Sequence, residues 1–148
     1  KTDDEVYLEI FYKIVMPLIK GFKPEVLVVQ LGADSLISDP LTGLMLTNNS
    51  YTEIVQELKR LCRKILATGG GGYDIYRTAR CWTLAWAILN DVEPRDEFAG
   101  LVGGMMFGPE MEVSSLYDRP YTITGPEKDR IRQEVDKTIK FLVKQHQL

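Results

Sequence analysis

The chain has 148 residues, 45% of them hydrophobic and 26% charged, with a formal net charge of −3. This composition is typical of a single globular domain, and its slightly acidic balance gives no basic surface for nucleic-acid binding. No apolar stretch approaches the roughly 18 residues that a membrane span needs, so no membrane association is expected. Two cysteines without CxxC spacing favour a reducing, cytoplasmic setting, and both are expected to pack on helix faces.

The amino-terminal segment predicts a helix with its own cap. Thr2 and Glu5 have the T-x-x-E spacing of a capping box, and apolar residues recur at helical spacing from Val6 to Leu18. Pro17 is expected to kink or end this helix near its last turn. The sequence enters the helix directly, without an initiator methionine, so we expect it to be a piece of a longer protein.

Two short segments predict neighbouring strands of a parallel sheet. Residues 26–31 are apolar almost throughout, which is typical of a strand buried on both faces, and residues 64–68 form the second strand. A helix at about 51–63 separates them, and the alternation of helices and strands predicts an α/β fold. Because two strands are few for an open sheet, we expect further strands outside this sequence.

The second half of the chain predicts two helices joined by a long irregular segment. The first helix spans about 75–90, and its tryptophans, Trp82 and Trp86, are expected to pack in the core. Residues 91–125 show no regular period. The spacing of Thr124 and Glu127 predicts another capping box, which starts a last helix over 126–146.

Chemistry is expected where the two strands end, because ligands of open α/β sheets bind outside the carboxyl ends of the strands. One end carries Asp34, and the other carries Gly69–Gly72 followed by Tyr73. Other interpretations are open from the residues alone: Asp34 as a turn or capping residue, and Tyr73 as a packing aromatic. The glycine run fits neither common nucleotide-binding motif. His146, the only histidine, is near the carboxyl terminus, so this sequence offers no Ser–His or Cys–His pair.

The segments VLVVQLGADSLISDPL and TGGGGYDIYRTARCWT closely resemble the zinc-dependent histone deacetylase superfamily, in particular class I enzymes and the prokaryotic acetoin-utilisation proteins. The pairing of GAD with GGGGY and ARCW is specific, and the resemblance covers most of residues 1–90. It implies that residues 1–148 are the C-terminal portion of one deacetylase domain. The implied fold is the three-layer α/β fold of arginases and deacetylases, with a parallel sheet.

The resemblance also implies roles for individual residues. Asp34 corresponds to the last of three zinc ligands, and a carboxylate suits a catalytic zinc site with an open coordination position. Tyr73 corresponds to a tyrosine that donates a hydrogen bond to the acetyl carbonyl. Four residues would line or border the tunnel for the acyl-lysine stem: Gly71, Gly72, Pro40 and Leu41. In this interpretation the glycines are bare because side chains would fill the tunnel.

Two departures from the family pattern qualify this expectation. Ser38 stands where the family often has glycine, which predicts a differently shaped loop. The family's paired histidines and its other zinc ligands are absent from this sequence. We therefore expect the intact protein to deacetylate acetyl-lysine or small acetylated amines, and this piece alone to be inactive.

Two alternatives and one physical consequence follow. The chain could be a non-catalytic remnant that binds a partner, or, on its α/β order alone, a flavodoxin-like binding module. If neighbouring strands are missing, sheet edges and apolar faces are exposed. The expected partners are therefore the missing N-terminal half of the domain or a second copy of the chain.

Overall fold

A computed structural model describes residues 1–93 and 115–147. The elements in chain order are helix α1 (Asp4–Ile10), a π-helical turn (Phe11–Val15), helix α2 (Met16–Phe22), strand β1 (Leu27–Gln30), helix α3 (Asn48–Leu61), strand β2 (Ile65–Thr68), helix α4 (Ile75–Leu89) and helix α5 (Pro126–His146). This order confirms the α/β class. Residues 94–114, most of the predicted long loop, lie outside the described residues. None of the described helices combines the length and apolar character that a membrane crossing requires.

The amino-terminal helix passes through Pro17 without ending. Pro17 lies in the first turn of α2, and the π-helical turn just before it contains a bond from the Met16 N–H to the Phe11 carbonyl, five residues back. This wider turn precedes the position where proline cannot donate a hydrogen bond. The helix continues to Phe22, so of the two outcomes expected at Pro17, a kink or an end, the end does not occur.

Both predicted capping boxes are wrong in detail. Asp3, rather than Thr2, caps α1, because its Oδ1 accepts a hydrogen bond from the Val6 N–H at 3.2 Å. At α5 the N-cap position is occupied by Gly125, and no side chain caps the helix. Pro126 does occupy the first turn of α5, as the sequence predicts.

The sheet is covered on one face and open on the other. Strands β1 and β2 pair in parallel, with Leu27 opposite Ile65. Leu27 and Val29 pack against a core cluster of Phe11, Met16 and Leu58. Val28 and Leu66 on the alternate face are 65% and 57% exposed. The prediction of a strand buried on both faces is therefore wrong within the described residues.

The buried face of helix α4 does not include its two tryptophans. Thr78, Cys81 and Leu84 are buried at helical spacing, which turns Trp82 and Trp86 toward the exposed side. Trp82 Nε1 donates to the Leu31 carbonyl at 2.6 Å, so this indole lies beside the end of β1. The expectation that both tryptophans pack in the core is wrong. The expectation that both cysteines pack is confirmed, since Cys62 and Cys81 are buried and unpaired, but Cys62 follows the end of α3 in extended backbone rather than lying on a helix face.

The start of α5 is joined to the start of α1 by an ion-pair cluster, here called the amino-terminal cluster (Asp3, Glu5, Lys128 and Arg132). Lys128 Nζ lies 2.6 Å from Asp3 Oδ2 and 2.8 Å from Glu5 Oε2, and Arg132 also pairs with Glu5. Asp3 and Lys128 are buried, whereas Glu5 is exposed. The cluster links residues more than a hundred positions apart in the sequence.

Candidate active site

The loops that follow β1 and β2 are joined through their backbones. The Leu31 N–H donates to the Thr68 carbonyl at 2.8 Å, and the Ala33 N–H donates to the Gly71 carbonyl at 2.6 Å. The parallel pairing thus extends past the strands into both loops. It places Asp34 against the glycine run at the carboxyl edge of the sheet, where ligands of α/β folds bind.

The glycines allow this close approach of the two loops. A Cβ on Gly71 would collide with Asp34 Oδ2, and one on Gly70 would lie 2.7 Å from the Gly32 Cα. Gly72 has a φ of +145°, a conformation that side-chain-bearing residues rarely adopt. The structure therefore gives a reason for the bare backbone that the sequence did not suggest: contact with the loop carrying Asp34. A tunnel wall at Gly71 and Gly72 stays a prediction.

The Asp34 carboxylate has no protein partner within the described residues. It accepts no hydrogen bond and forms no ion pair there, although it is partly buried. The N-cap of α3, the next helix, is Thr47, so Asp34 does not take the capping role considered from the sequence. Asp34 lines a cleft of about 250 Å³ together with Gln30, Ser35 and Tyr51.

Tyr51 was missed by sequence reasoning. Its hydroxyl is buried and has no hydrogen-bond partner within the described residues. Burial raises its pKa well above the usual range, the neighbouring Cys81 and Asp34 raise it further, and the nearby Trp82 indole lowers it only in part. Tyr51 is therefore a neutral hydroxyl group lining the same cleft as Asp34. No pattern in the sequence distinguishes it from other tyrosines on a helix.

Tyr73 lies on the second loop with an exposed ring. The side chain is 54% exposed, which contradicts its interpretation as a packing aromatic. Its main-chain N–H donates to Asp39 Oδ2 at 2.8 Å. The next residue, Asp74, caps α4 by accepting the Arg77 N–H at 3.1 Å. Tyr73 is thus held by the hydrogen bond from its N–H to Asp39, and it directly precedes the residue that caps α4.

The loop after β1 carries the predicted rim residues and one that was missed. Pro40 and Leu41 are exposed, as a rim position requires, and their place at a tunnel rim stays a prediction. Asp39, which sequence reasoning missed, is 7% exposed and contacts Tyr73 across the sheet edge. Ser38 has a φ of 72°, in the left-handed region that glycine favours. Ser38 thus adopts a glycine-like backbone conformation, and a loop shaped differently from that of the family stays a prediction.

The other candidate groups do not form a reactive set. Burial raises the pKa of the Cys81 thiol to about 12, so Cys81 is no thiolate nucleophile. His146 is the last residue of α5 and is exposed. Within residues 1–93 and 115–147, no three His, Cys, Asp or Glu side chains cluster as a metal site would require.

Comparisons with known proteins agree with the resemblance in the motifs. The histone deacetylase domain model matches residues 1–89. Type-1 histone deacetylase 1 of Dictyostelium discoideum is 38% identical over 111 residues, covering 75% of this chain and 22% of that protein. Histone deacetylase 1 of Homo sapiens is 31% identical over 144 residues, covering 95% of this chain and 29% of that protein.

A solved structure gives the same assignment. The crystal structure of the HDA15 HD domain superposes with a TM-score of 0.58 at 28% identity, over 60% of this chain and 26% of that one. The chain spans less than a third of the length of these relatives. With its α/β fold, its paired strand-end loops and the match over residues 1–89, the chain belongs to the histone deacetylase domain family.

Proposed function

We propose that this chain supplies part of the active site of a zinc-dependent deacetylase that acts on acetyl-lysine or on small acetylated amines. One observation carries the proposal: a partner-free carboxylate, Asp34, lies at the edge where β1 and β2 end, next to the loop that carries Tyr73. Membership of the histone deacetylase domain family supports it.

The residues present fit one position of a zinc site. Asp34 offers carboxylate oxygens, which zinc accepts, and these oxygens are not used by other described residues. Since a catalytic zinc needs about three protein ligands, the others would come from residues outside this chain. The 148-residue chain alone is then inactive. Zinc, when bound, would polarise the acetyl carbonyl and lower the pKa of its bound water.

Tyr73 would act on the substrate carbonyl. Its phenol O–H would donate a hydrogen bond to the carbonyl oxygen, and this bond strengthens as negative charge develops there. The exposed ring leaves the hydroxyl free for substrate. Gly71 and Gly72 would border the lysine stem through their backbone atoms, since the positions of their missing side chains are taken by Asp34, Thr78 and Ala33. Leu41 and Pro40 would border the entrance.

The open face of the sheet suggests what completes the site. Exposed apolar side chains on this face, such as Val28 and Leu66, need cover in a stable protein. The remaining N-terminal part of a deacetylase domain would provide that cover and the missing ligands, with self-association of the chain as the other route. Two unpaired buried cysteines fit a cytoplasmic setting.

The test is the substitution Asp34→Ala in the full-length protein, assayed on an acetyl-lysine peptide and on a small N-acetylated amine. We expect zinc content and hydrolysis of both substrates to fall together, because the carboxylate oxygens are removed from the metal. Asp136→Ala, at an exposed position of α5, is the matched control and should leave both unchanged.

Two outcomes would contradict the proposal. If Asp34→Ala keeps its zinc and its activity, Asp34 is not a ligand. If the zinc-loaded full-length protein hydrolyses neither substrate, the interpretation as a non-catalytic, partner-binding module replaces that of a deacetylase. The ratio of the rates on the two substrates decides between a protein and a small-molecule deacetylase.

A further inference from the structure

We propose that Asp39 is a positioning residue that fixes the backbone of Tyr73, and that Ser38 fixes the next residue, Asp74. The two contacts together are called the Ser38–Asp39 bridge. The proposal rests on the proposed function, because it gives Asp39 importance through the Tyr73 hydroxyl. Asp39 itself does not touch the substrate in this account.

Asp39 is built as an anchor between the two loops. Its Oδ2 accepts the Tyr73 N–H at 2.8 Å, and its Oδ1 accepts the Leu41 N–H at 2.9 Å. Hydrogen bonds to an ionised carboxylate are roughly twice as strong as neutral ones. The Asp39 N–H donates to the carbonyl of Leu36, a fully buried residue, at 3.1 Å. The anchor for Tyr73 is therefore itself tied to the core.

Ser38 contacts Asp74, the residue directly after Tyr73. Its Oγ donates to Asp74 Oδ2 at 3.0 Å, and Asp74 Oδ1 caps α4. Ser38 makes this contact from a left-handed conformation, with a φ of 72°, that is unfavourable for a residue with a side chain. A glycine here would relieve that cost but could not donate the bond.

Tyr73 needs such an anchor because little else holds it. Its ring is largely exposed, and four glycines precede it, so packing of neighbouring side chains does not fix its position. A hydrogen-bond donor stabilises a developing oxyanion only when it is already placed at the correct point. Small displacements of a catalytic group have large kinetic effects. Loss of the bridge should therefore lower kcat and leave substrate binding nearly unchanged.

The test is Asp39→Asn in the full-length protein. Asparagine keeps the shape, but its NH₂ group cannot accept, so one of the two backbone N–H groups loses its acceptor. We expect kcat to fall roughly tenfold to a hundredfold, with KM changed by less than about twofold. Thr42→Ala is the control: it removes a bond within the same loop, to the Leu44 N–H, and should change neither constant.

A double-mutant cycle separates positioning from a general structural effect. In a Tyr73→Phe background the hydroxyl is already absent, so Asp39→Asn should lower kcat no further. An equal loss of kcat in both backgrounds would overturn the proposal. Should Asp39→Asn fail to fold, Ser38→Gly takes its place. We expect Ser38→Gly to lower kcat roughly threefold, and to have no effect on kcat in the Tyr73→Phe background. No loss of kcat, or a loss that persists in the Tyr73→Phe background, would overturn the proposal.

Amide hydrogen exchange distinguishes failure of this proposal from failure of the proposed function. The Tyr73 N–H should exchange slowly in the unsubstituted protein and much faster in Asp39→Ala, which removes both acceptor oxygens, whether or not the protein hydrolyses acetyl-amides. Unchanged exchange would show that Asp39 does not hold Tyr73. Faster exchange without any deacetylase activity would contradict the proposed function, and with it the catalytic importance assigned to Asp39, while the anchoring contact itself would stand.

Discussion

Two carboxylates of this chain lie in opposite environments, Asp3 in the amino-terminal cluster and Asp34 at the carboxyl edge of the sheet. Asp3 is almost fully buried and accepts hydrogen bonds from the Val6 N–H, the Ile123 N–H and Lys128 Nζ. Asp34 has no such partner among the described residues. A buried carboxylate with every oxygen satisfied stabilises the fold, whereas a partner-free one in a packed loop gains nothing for the fold. The difference supports the proposal that the Asp34 carboxylate binds a ligand.

Electrostatics explain why Asp3 and Lys128 stabilise the fold. Burial would raise the pKa of Asp3, but hydrogen bonds from Lys128, Ile123 and Val6 outweigh it and lower the pKa. Burial would lower the pKa of Lys128, and its bonds to Asp3 and Glu5 outweigh that and raise the pKa. Each partner is therefore held in its charged form by the folded state.

The largest effect on the fold should come from Asp3→Ala. The substitution leaves Lys128 buried without its main partner and removes the cap of α1, so the free energy of unfolding should fall by about 3 kcal/mol. Urea denaturation of the full-length protein measures this. Glu5→Gln is the matched control, because Glu5 is exposed and exposed ion pairs contribute about 1 kcal/mol or less.

The contrast between a structural Asp3 and a ligand-binding Asp34 would be wrong if Asp34→Ala destabilises the protein as much as Asp3→Ala does. Asp34 would then be a structural residue with a contact that the described residues do not show. If folded Asp3→Ala keeps its zinc while Asp34→Ala loses it, the two carboxylates have separate roles, one in stability and one in metal binding.

A smaller effect is expected from Gly71→Ala. The added Cβ would meet Asp34 Oδ2, so the carboxylate or the loop has to move, and activity should fall by roughly tenfold. Gly43→Ala is the control, since a Cβ at Gly43 meets nothing within 4 Å. Steady-state rates of both variants check this. Equal rates would show that the close contact of the two loops does not matter for the chemistry.

The smallest effect concerns pH. Because the pKa of Asp3 is lower in the folded state, its stabilisation is present above about pH 4 and is lost as pH falls through the folded pKa. The stabilisation from Lys128, whose pKa is raised, is lost only in strong alkali. Urea midpoints at acid pH should fall less steeply in Asp3→Asn than in the unsubstituted protein. Identical slopes would contradict the assignment.

Sequence patterns predicted the elements well because periodicity and local composition determine them. Helix α4 and strand β2 lie within about a residue of their predicted bounds, and the parallel pairing places Asp34 beside the glycine run as expected. Helix α3 begins at Asn48, earlier than predicted, because Thr47 caps it. The family resemblance, rather than periodicity, supplied the roles of Asp34 and Tyr73.

The parts that could not be predicted depend on contacts between distant residues. Asp39 meets Tyr73 across 34 positions, and Asp3 is selected over Thr2 as the cap by contacts with α5 and the residues before it. The exposure of Trp86 and Val28 likewise reflects which surfaces other elements cover. None of these contacts leaves a local signal in the sequence.

The central claim, that Asp34 is kept free to bind a metal, is tested most directly by elemental analysis of zinc. The full-length protein and its Asp34→Ala variant would be purified without chelators and compared at equal concentration. We expect about one zinc ion per molecule in the unsubstituted protein and near zero in the variant. Equal zinc in both proteins would contradict the claim.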